Sequence, residues 1–484
     1  MIPRPVPVPT GFRIVLDPST RQLTDELWFG GSPARVLRLT TAGRAAWRQL
    51  SAGAVGSPAA GALARRLTDA GFAHPCPPEP GDEPADVTIV VPVYDRIDLL
   101  DRCLAGLDGR YPVLVVDDGS RDASAIASVA ARYGTKLVRR EVNGGPAAAR
   151  NSALEHVAST LIAFLDSDCV PTPEWIDQLA AHFADPLVAA VAPRVASLAP
   201  DTWAGRYTRA AGSLDLGGQQ ARVAPSTRLS YVPTAALLAR RAALTAVARD
   251  GAVFDPALRV GEDVDLVWRL DAAGWRVRYD PSARVDHHEP ATWRGLLARR
   301  ARYGTSAAPL AQRRPDAMAP LVLHPWPTLT VAALLGRRPL LSAAAFGWSV
   351  LSMVRKLRSS DVPTDGVVRA MGTATQQTWL GIGRYSTQFA APVLAALVAS
   401  RGRRRWGRRV AVASLVLGPP LSAWAARRPG LDAVRYTLGW LADDIAYGTG
   451  VWASCLNHRT AVPVRPVIAW RPLRVDRKEN RGLS

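Results

Sequence analysis

The chain has 484 residues, 48% of them hydrophobic, enough for two or three domains but no more apolar than an ordinary globular protein. Its formal charge of +19 rests almost wholly on arginine, with Lys136, Lys356 and Lys478 the only lysines. That balance suits anionic lipid or phosphorylated ligands, and a GC-rich genome would favour arginine too; nucleic acid is not indicated, because no aromatic-basic interleaving or zinc-finger spacing occurs.

At the N-terminus, "MIPRPVPVPTGFRIV" carries prolines where a signal peptide needs an apolar helix, so secretion is not expected. The four cysteines, Cys76, Cys103, Cys169 and Cys455, lack metal or disulfide spacing and suit a reducing cytoplasm. Within 1–75, "ELWFGGSPARVLRLTTAGRAAWRQL" predicts strand, Gly-Gly turn, strand and helix, and "GALARRLTDAGFAHP" a second short helix. A Pro- and acid-rich linker covers 76–85.

From Asp86 to about 310 the pattern alternates. "DVTIVVPVY", "YPVLVVDDGS", "TKLVRREV" and "LIAFLDSD" read as strands, separated by helical stretches. Continuous apolar strands between helices predict an α/β domain with a parallel sheet covered on both faces. Ligands of such sheets bind beyond the carboxyl ends of the strands, where "VVDDGS" and "FLDSD" set acids.

Residues 318–470 are apolar in bursts, such as "VAVASLVLGPPLSAWAA", each shorter than the roughly 20 residues of a spanning helix. Arginine clusters punctuate them, most densely at "RGRRRWGRR" (401–409). The expectation is a helical, membrane-associated region, re-entrant or spanning as hairpins, with its arginines on the cytoplasmic face against anionic lipid. Helices of a soluble domain are the plainer alternative. The segment 471–484 is a charged tail.

The acids carry the chemistry. Asp117 and Asp118 end a strand before Gly-Ser; alone they read as helix caps. With Tyr94, Asp118 pairs a flat ring with a carboxylate acceptor, a combination that suits a pyrimidine base. "NGGPAAARN" (143–151) opens a helix with an amide-rich turn suited to phosphate, with Arg150 and Asn151 further along. Asp166 and Asp168, one residue apart, point to the same side of an extended chain and repel unless a hard divalent cation lies between them. In "GEDVDLVWRL", Glu262, Asp263 and Asp265 complement a helix N-terminus, or one of them serves as general base. His287 or His288, after a short strand, could complete a metal site.

In this order and at these spacings, "VPVYDR", "VVDDGS", "NGGPAAARN", "FLDSD", "GEDVDLVWRL" and "RVDHH" resemble glycosyltransferase family 2 over about 86–305. The resemblance implies a nucleotide-diphospho-sugar transferase fold (GT-A, Rossmann-like) and inverting transfer from a UDP-sugar with a divalent cation, Mg or Mn. By motif position, it implies that Tyr94 and Asp118 hold the uracil. Pro92, Asn143, Gly144, Arg150 and Asn151 complete the nucleotide-sugar site. It assigns Asp166 to the ribose or metal and Asp168 and His287 to the metal. Asp263 is then the base, with Glu262 beside it.

The "QxxRW" element of polymer-extruding synthases is not found, which argues against a channel of the protein's own. The N-terminal "GGSPARVLRLTTAGRAAW" resembles the small PqqD-like peptide-recognition domain. The whole arrangement is similar to the actinobacterial family 2 transferases of mycofactocin biosynthesis. That branch implies glucose transfer from UDP-glucose to a small peptide-derived acceptor, giving a β-1,4-linked oligoglucoside, with other proteins of that pathway as partners. A membrane-associated rhamnosyl- or galactofuranosyl-transferase of the cell envelope shares the motifs. A degenerate transferase serving as a peptide-binding scaffold is the non-enzymatic alternative.

Overall fold

A computed structural model of the chain describes residues 6–79, 85–357 and 364–469. The tail expected at 471–484 and the 80–84 part of the linker lie outside the described residues. The chain divides into two compact units. The first takes in Met1–Arg21, Trp28–Leu198 and Gly212–Glu289; the second takes in Gln22–Leu27, Ala199–Ala211 and Pro290–Ser484.

The first unit begins with a small layer in which strand, turn, strand and two helices follow as expected. Strands β1 (Arg13–Leu16), β2 (Leu27–Gly30) and β3 (Arg35–Arg38) precede helices α1 (Thr41–Ala52) and α2 (Pro58–Asp69). Thr40 caps α1 by accepting from the Gly43 amide at 3.1 Å, and Ser57 caps α2 ahead of Pro58 at its first turn. The apolar faces of both helices close over Phe12, Trp28, Leu37 and Phe72. A further strand, β4 (Ala73–Cys76), pairs antiparallel with β1. A buried and a half-buried ion pair tie this layer into the rest of the unit: Arg65 reaches Asp185 at 2.7 Å, and Asp69 accepts from Arg276 Nε and one terminal nitrogen at 2.7 Å each.

The larger part alternates as expected: β5 (Val87–Val93), α3 (Ile97–Ala105), β6 (Val113–Asp118), α4 (Ala123–Arg132), β7 (Lys136–Arg140), α5 (Pro146–Leu154) and β8 (Leu161–Leu165). Strands β5, β6, β7 and β8 run parallel, and all five residues of β8 are buried. Beyond β8 the expectation of a parallel sheet fails. There follow β9 (Cys169–Pro171), β10 (Val188–Leu198), β11 (Ala221–Val223), β12 (Ala236–Arg240), α6 (Glu262–Ala272) and β13 (Arg276–His288). The nine-stranded sheet has the order β9-β13-β10-β12-β8-β5-β6-β7, with β11 also on β13. β12 is antiparallel to both β8 and β10, and β9 is antiparallel to β13. A buried strand reads as the same apolar run whichever way it is paired, so periodicity could not reveal this reversal. The "short strand" before the histidines is a 13-residue strand that includes them.

The second unit is helical. Its long helices are α7 (Trp293–Gly304), α8 (Pro325–Leu335), α9 (Pro339–Leu357), α10 (Thr364–Phe389), α11 (Ala391–Ala399), α12 (Arg405–Arg427) and α13 (Ala433–Asn457). The burst "VAVASLVLGPPLSAWAA" is shorter than its helix, Arg405–Arg427, because the flanking arginines are good helix formers and extend the turns. Among the described residues one helix, Arg405–Arg427, is long and apolar enough to cross a membrane. It contains Pro419 and Pro420, and α10 passes them closely at Gly383, where an added Cβ would lie 2.8 Å from the Pro419 ring.

Candidate active site

The site lies at the carboxyl ends of β5, β6 and β8. After Val93, Tyr94 stands 41% exposed, followed by Asp95 and Arg96 in the left-handed region at φ 56° and 53°. Two such residues in succession are strained and need external support. The Asp95 amide donates to Ser120 Oγ at 2.8 Å, and Asp95 Oδ1 accepts from the Arg121 amide at 2.9 Å. Pro92 lies opposite Val116 in the ladder behind this turn.

Asp117 and Asp118 do not cap α4. That cap is Asp122, which accepts from the Ala125 amide at 2.9 Å. Asp117 accepts from the Ser120 amide and pairs with Arg139. Asp118, 3% exposed, accepts from the Gly144 amide at 3.0 Å, the Gly145 amide at 2.7 Å and Arg140 Nε at 2.8 Å. The amides of Gly144 and Gly145, expected to face phosphate, bond this carboxylate. Asn143 accepts from Arg259 at 3.2 Å. Gly119, at φ +77°, abuts the same turn, and a Cβ there would come within 2.9 Å of the Asn143 nitrogen.

Asn151, expected in the nucleotide-sugar site, bonds the main chain of Phe254. Its Nδ2 donates to the Phe254 carbonyl at 2.7 Å and its Oδ1 accepts from the Phe254 amide at 2.9 Å, so both ends of the amide are engaged by main chain. Arg150, also expected there, is 2% exposed. It donates to Asp166 Oδ1 at 2.6 Å and to Glu262 Oε1 at 2.8 Å. Burial opposes its charge, but Asp166 and Glu262 more than offset that and hold its proton more tightly. Burial lifts Glu262 and Asp166 above the usual carboxylate range, against the pull of Arg150.

Asp166 and Asp168 do not sit on an extended strand. A turn closes between them, with the Cys169 amide donating to the Asp166 carbonyl at 2.9 Å. Their side chains therefore take different partners within the protein. Asp168 accepts from Arg96 at 2.8 Å, and its Oδ1 lies 3.4 Å from His287 Nε2. The β9–β13 register sets Cys169 opposite His287 and so fixes that approach. The His287 Nδ1 lies 3.1 Å from Glu289 Oε1. His288 contributes its main chain, the amide donating to the Asp168 carbonyl at 2.8 Å.

Asp263, half-buried at the start of α6, accepts at 2.8 Å from the Val264 amide. Burial, reinforced by the neighbouring Glu262 charge, pushes its carboxyl up to about 7. A carboxylate of that affinity suits proton abstraction at neutral pH.

Among the described residues no cluster of three or more His, Cys, Asp or Glu side chains forms a ready metal cage. Asp168 and His287 fit a hard divalent cation as two protein donors on one side, with Glu289 fixing the histidine's other nitrogen. Diphosphate and water would supply the rest. Sequence reasoning passed over Arg96, Arg140 and Glu289 as partners in the site; only Glu289, directly after the histidine pair, carried a signal in the chain itself.

A family model described as "Glycosyl transferase family 2" matches residues 88–245. The pre-mycofactocin glycosyltransferase of Mycobacterium tuberculosis is 38% identical over 485 residues, covering 95% of this chain and 98% of the relative. The chain belongs to glycosyltransferase family 2. The succinoglycan biosynthesis protein ExoU of Rhizobium meliloti is 33% identical over 206 residues, 40% of this chain and 59% of that protein. Among solved structures, a mannosyltransferase from Pyrobaculum calidifontis, in complex with GDP-Man and Mn2+, is 19% identical with a TM-score of 0.41. It covers 75% of this chain and 87% of that one. As a family 2 glycosyltransferase, the protein places the acids of its recurrent motifs along one end of the sheet, as a GT-A-like α/β fold requires.

Proposed function

We propose that the protein is an inverting transferase that passes glucose from UDP-glucose to premycofactocin and repeats the step to build a β-1,4-linked oligoglucoside. The observation that carries this reading is the Arg150 bridge. It joins Asp166, two residues before Asp168, to Glu262, beside Asp263, which supports a reading in which the proposed cation and the proposed base serve one site. The full-length similarity to a pre-mycofactocin glycosyltransferase supports the acceptor.

Asp168 and His287 would hold the divalent cation, Mg or Mn, whose charge would offset that of the departing diphosphate. Tyr94 offers an exposed ring for the uracil, and Asp118 shapes the turn beneath it. Asp263 takes the proton of the acceptor hydroxyl while that oxygen forms its bond to the anomeric carbon. The bond from that carbon to the diphosphate oxygen breaks on the opposite face, and UDP carries off the electron pair. A single displacement of this kind needs no covalent nucleophile.

The small N-terminal layer, read in the sequence as PqqD-like, is the proposed reader of the peptide-derived acceptor and of other mycofactocin biosynthetic proteins. The helical unit is proposed to lie at the cytoplasmic face of the membrane. In support, 25 of the 31 large apolar side chains exposed among the described residues belong to that unit. The deciding experiment is incubation with UDP-glucose and premycofactocin followed by mass spectrometry. Additions in steps of one hexose are expected; extension of lipid-linked acceptors alone would overturn the reading in favour of cell-envelope synthesis.

A further inference from the structure

Within the helical unit, α8, α10 and α12 enclose a groove of about 780 Å3. Its walls are largely apolar: Val331, Leu334 and Leu335 on one side, Trp379 in the middle, and Trp406 and Val410 on the other. Three of these continue onto the open surface, with Leu334, Trp406 and Val410 64%, 65% and 67% exposed. Glycine makes the room. Trp379 packs on Gly418, where an added Cβ would lie 2.4 Å from its ring.

The mouth is cationic. Arg337 lines it from the left-handed position that follows α8, at φ 58°. Its side chain lies over Gly407, where a Cβ would come within 2.9 Å of Arg337 Cδ. Beside it, α12 opens in the run 401–409, and Arg409 stacks on Trp406 at 5.5 Å. Among the described residues no carboxylate pairs with Arg337 or with any arginine of that run. From 318 to 430 the chain carries 15 basic residues and two acidic ones, so no local acid competes for an anion there.

An apolar slot with an unneutralised cationic rim is complementary to a ligand with a hydrocarbon chain and an anionic head. We propose that this groove takes one acyl chain of an anionic membrane phospholipid, with the phosphate against Arg337 and the arginines that open α12. The inference rests on the reading of this unit as membrane-associated. The arginines draw the unit to anionic lipid, each worth about fivefold in partitioning near a charged surface. The groove converts that attraction into a stoichiometric site.

The test uses the full chain, vesicles of phosphatidylcholine alone or with one quarter phosphatidylglycerol, and native mass spectrometry with phosphatidylglycerol. Wild type is expected to bind the mixed vesicles at least tenfold better and to carry a single bound lipid. Ser414→Phe, which fills the groove, should lose the bound lipid, and Arg337→Glu should lose most of the preference for phosphatidylglycerol. Both should keep the sugar-transfer rate measured on a soluble acceptor, which shows that they fold. If neither vesicle binds, the membrane reading fails and this inference with it. If mixed vesicles bind wild type and both variants alike, only the groove inference is overturned. A change of oligomeric state in Ser414→Phe, with lipid binding kept, would instead make the groove a contact between copies and equally overturn it.

Discussion

Arg150 donates to Asp166 at 2.6 Å from a position 2% exposed, and its other terminal nitrogen holds Glu262. A cation buried between two carboxylates positions both, and removing it strands charges that the fold cannot rehydrate. Arg150→Ala should therefore cost about 3 kcal/mol of stability in chemical denaturation. It should also abolish sugar transfer, because Asp166 and the start of α6 lose their common anchor. Arg150→Ala with Glu262→Gln should recover part of the stability and none of the turnover.

The proton affinity of Asp263, raised to about 7, sets a pH limb. A general base acts only when ionised, so kcat/KM should rise tenfold per pH unit below 7 and level off above it. Asp263→Asn should lower kcat by about 10²–10⁴-fold and erase that limb. Stability runs the other way. Because folding raises this carboxyl above its unfolded value, the unfolded chain releases the proton first, and wild type loses stability as pH climbs from about 4 to 7. The asparagine variant lacks that loss, so its stability relative to wild type should increase over the same interval in denaturant titrations.

Metal affinity should depend on the two proposed ligands, Asp168 and His287, and on Glu289, which does not ligate. Asp168→Ala should remove cation-dependent turnover, as read by Mn2+ binding in electron paramagnetic resonance alongside UDP-sugar consumption. Glu289→Gln leaves both proposed donors in place but weakens the hold on His287 Nδ1, 3.1 Å away. An orienting partner of this kind is worth about 10–100-fold in metal affinity. Unchanged Mn2+ binding in both variants would place the cation elsewhere.

Asn151 separates a structural from a donor-binding role. Its amide closes two hydrogen bonds on the main chain of Phe254. Asn151→Ala should destabilise the protein by about 1–3 kcal/mol, since it leaves main-chain groups unpaired. The KM for the UDP-sugar should hardly move. A large rise in KM with stability intact would return Asn151 to the donor site.

The sequence by itself determined the four parallel strands, the helices between them, the small layer before them and the acids that stand where strands end. Each of these is written locally: apolar runs of strand length, capping residues such as Thr40 and Ser57, and carboxylates set where a strand must stop. The family resemblance, carried by the same motifs, was equally legible in the chain. What only the tertiary structure decided is which acid meets which cation. In "IAFLDSDC" a single turn sends Asp166 to Arg150 and Asp168 to His287, residues 16 positions back and 119 positions on. Spacing along a strand cannot encode a partner brought in by an antiparallel register more than a hundred residues away. The same limit hid the bonds that the amides of Gly144 and Gly145 make to Asp118, which only folding brings onto them.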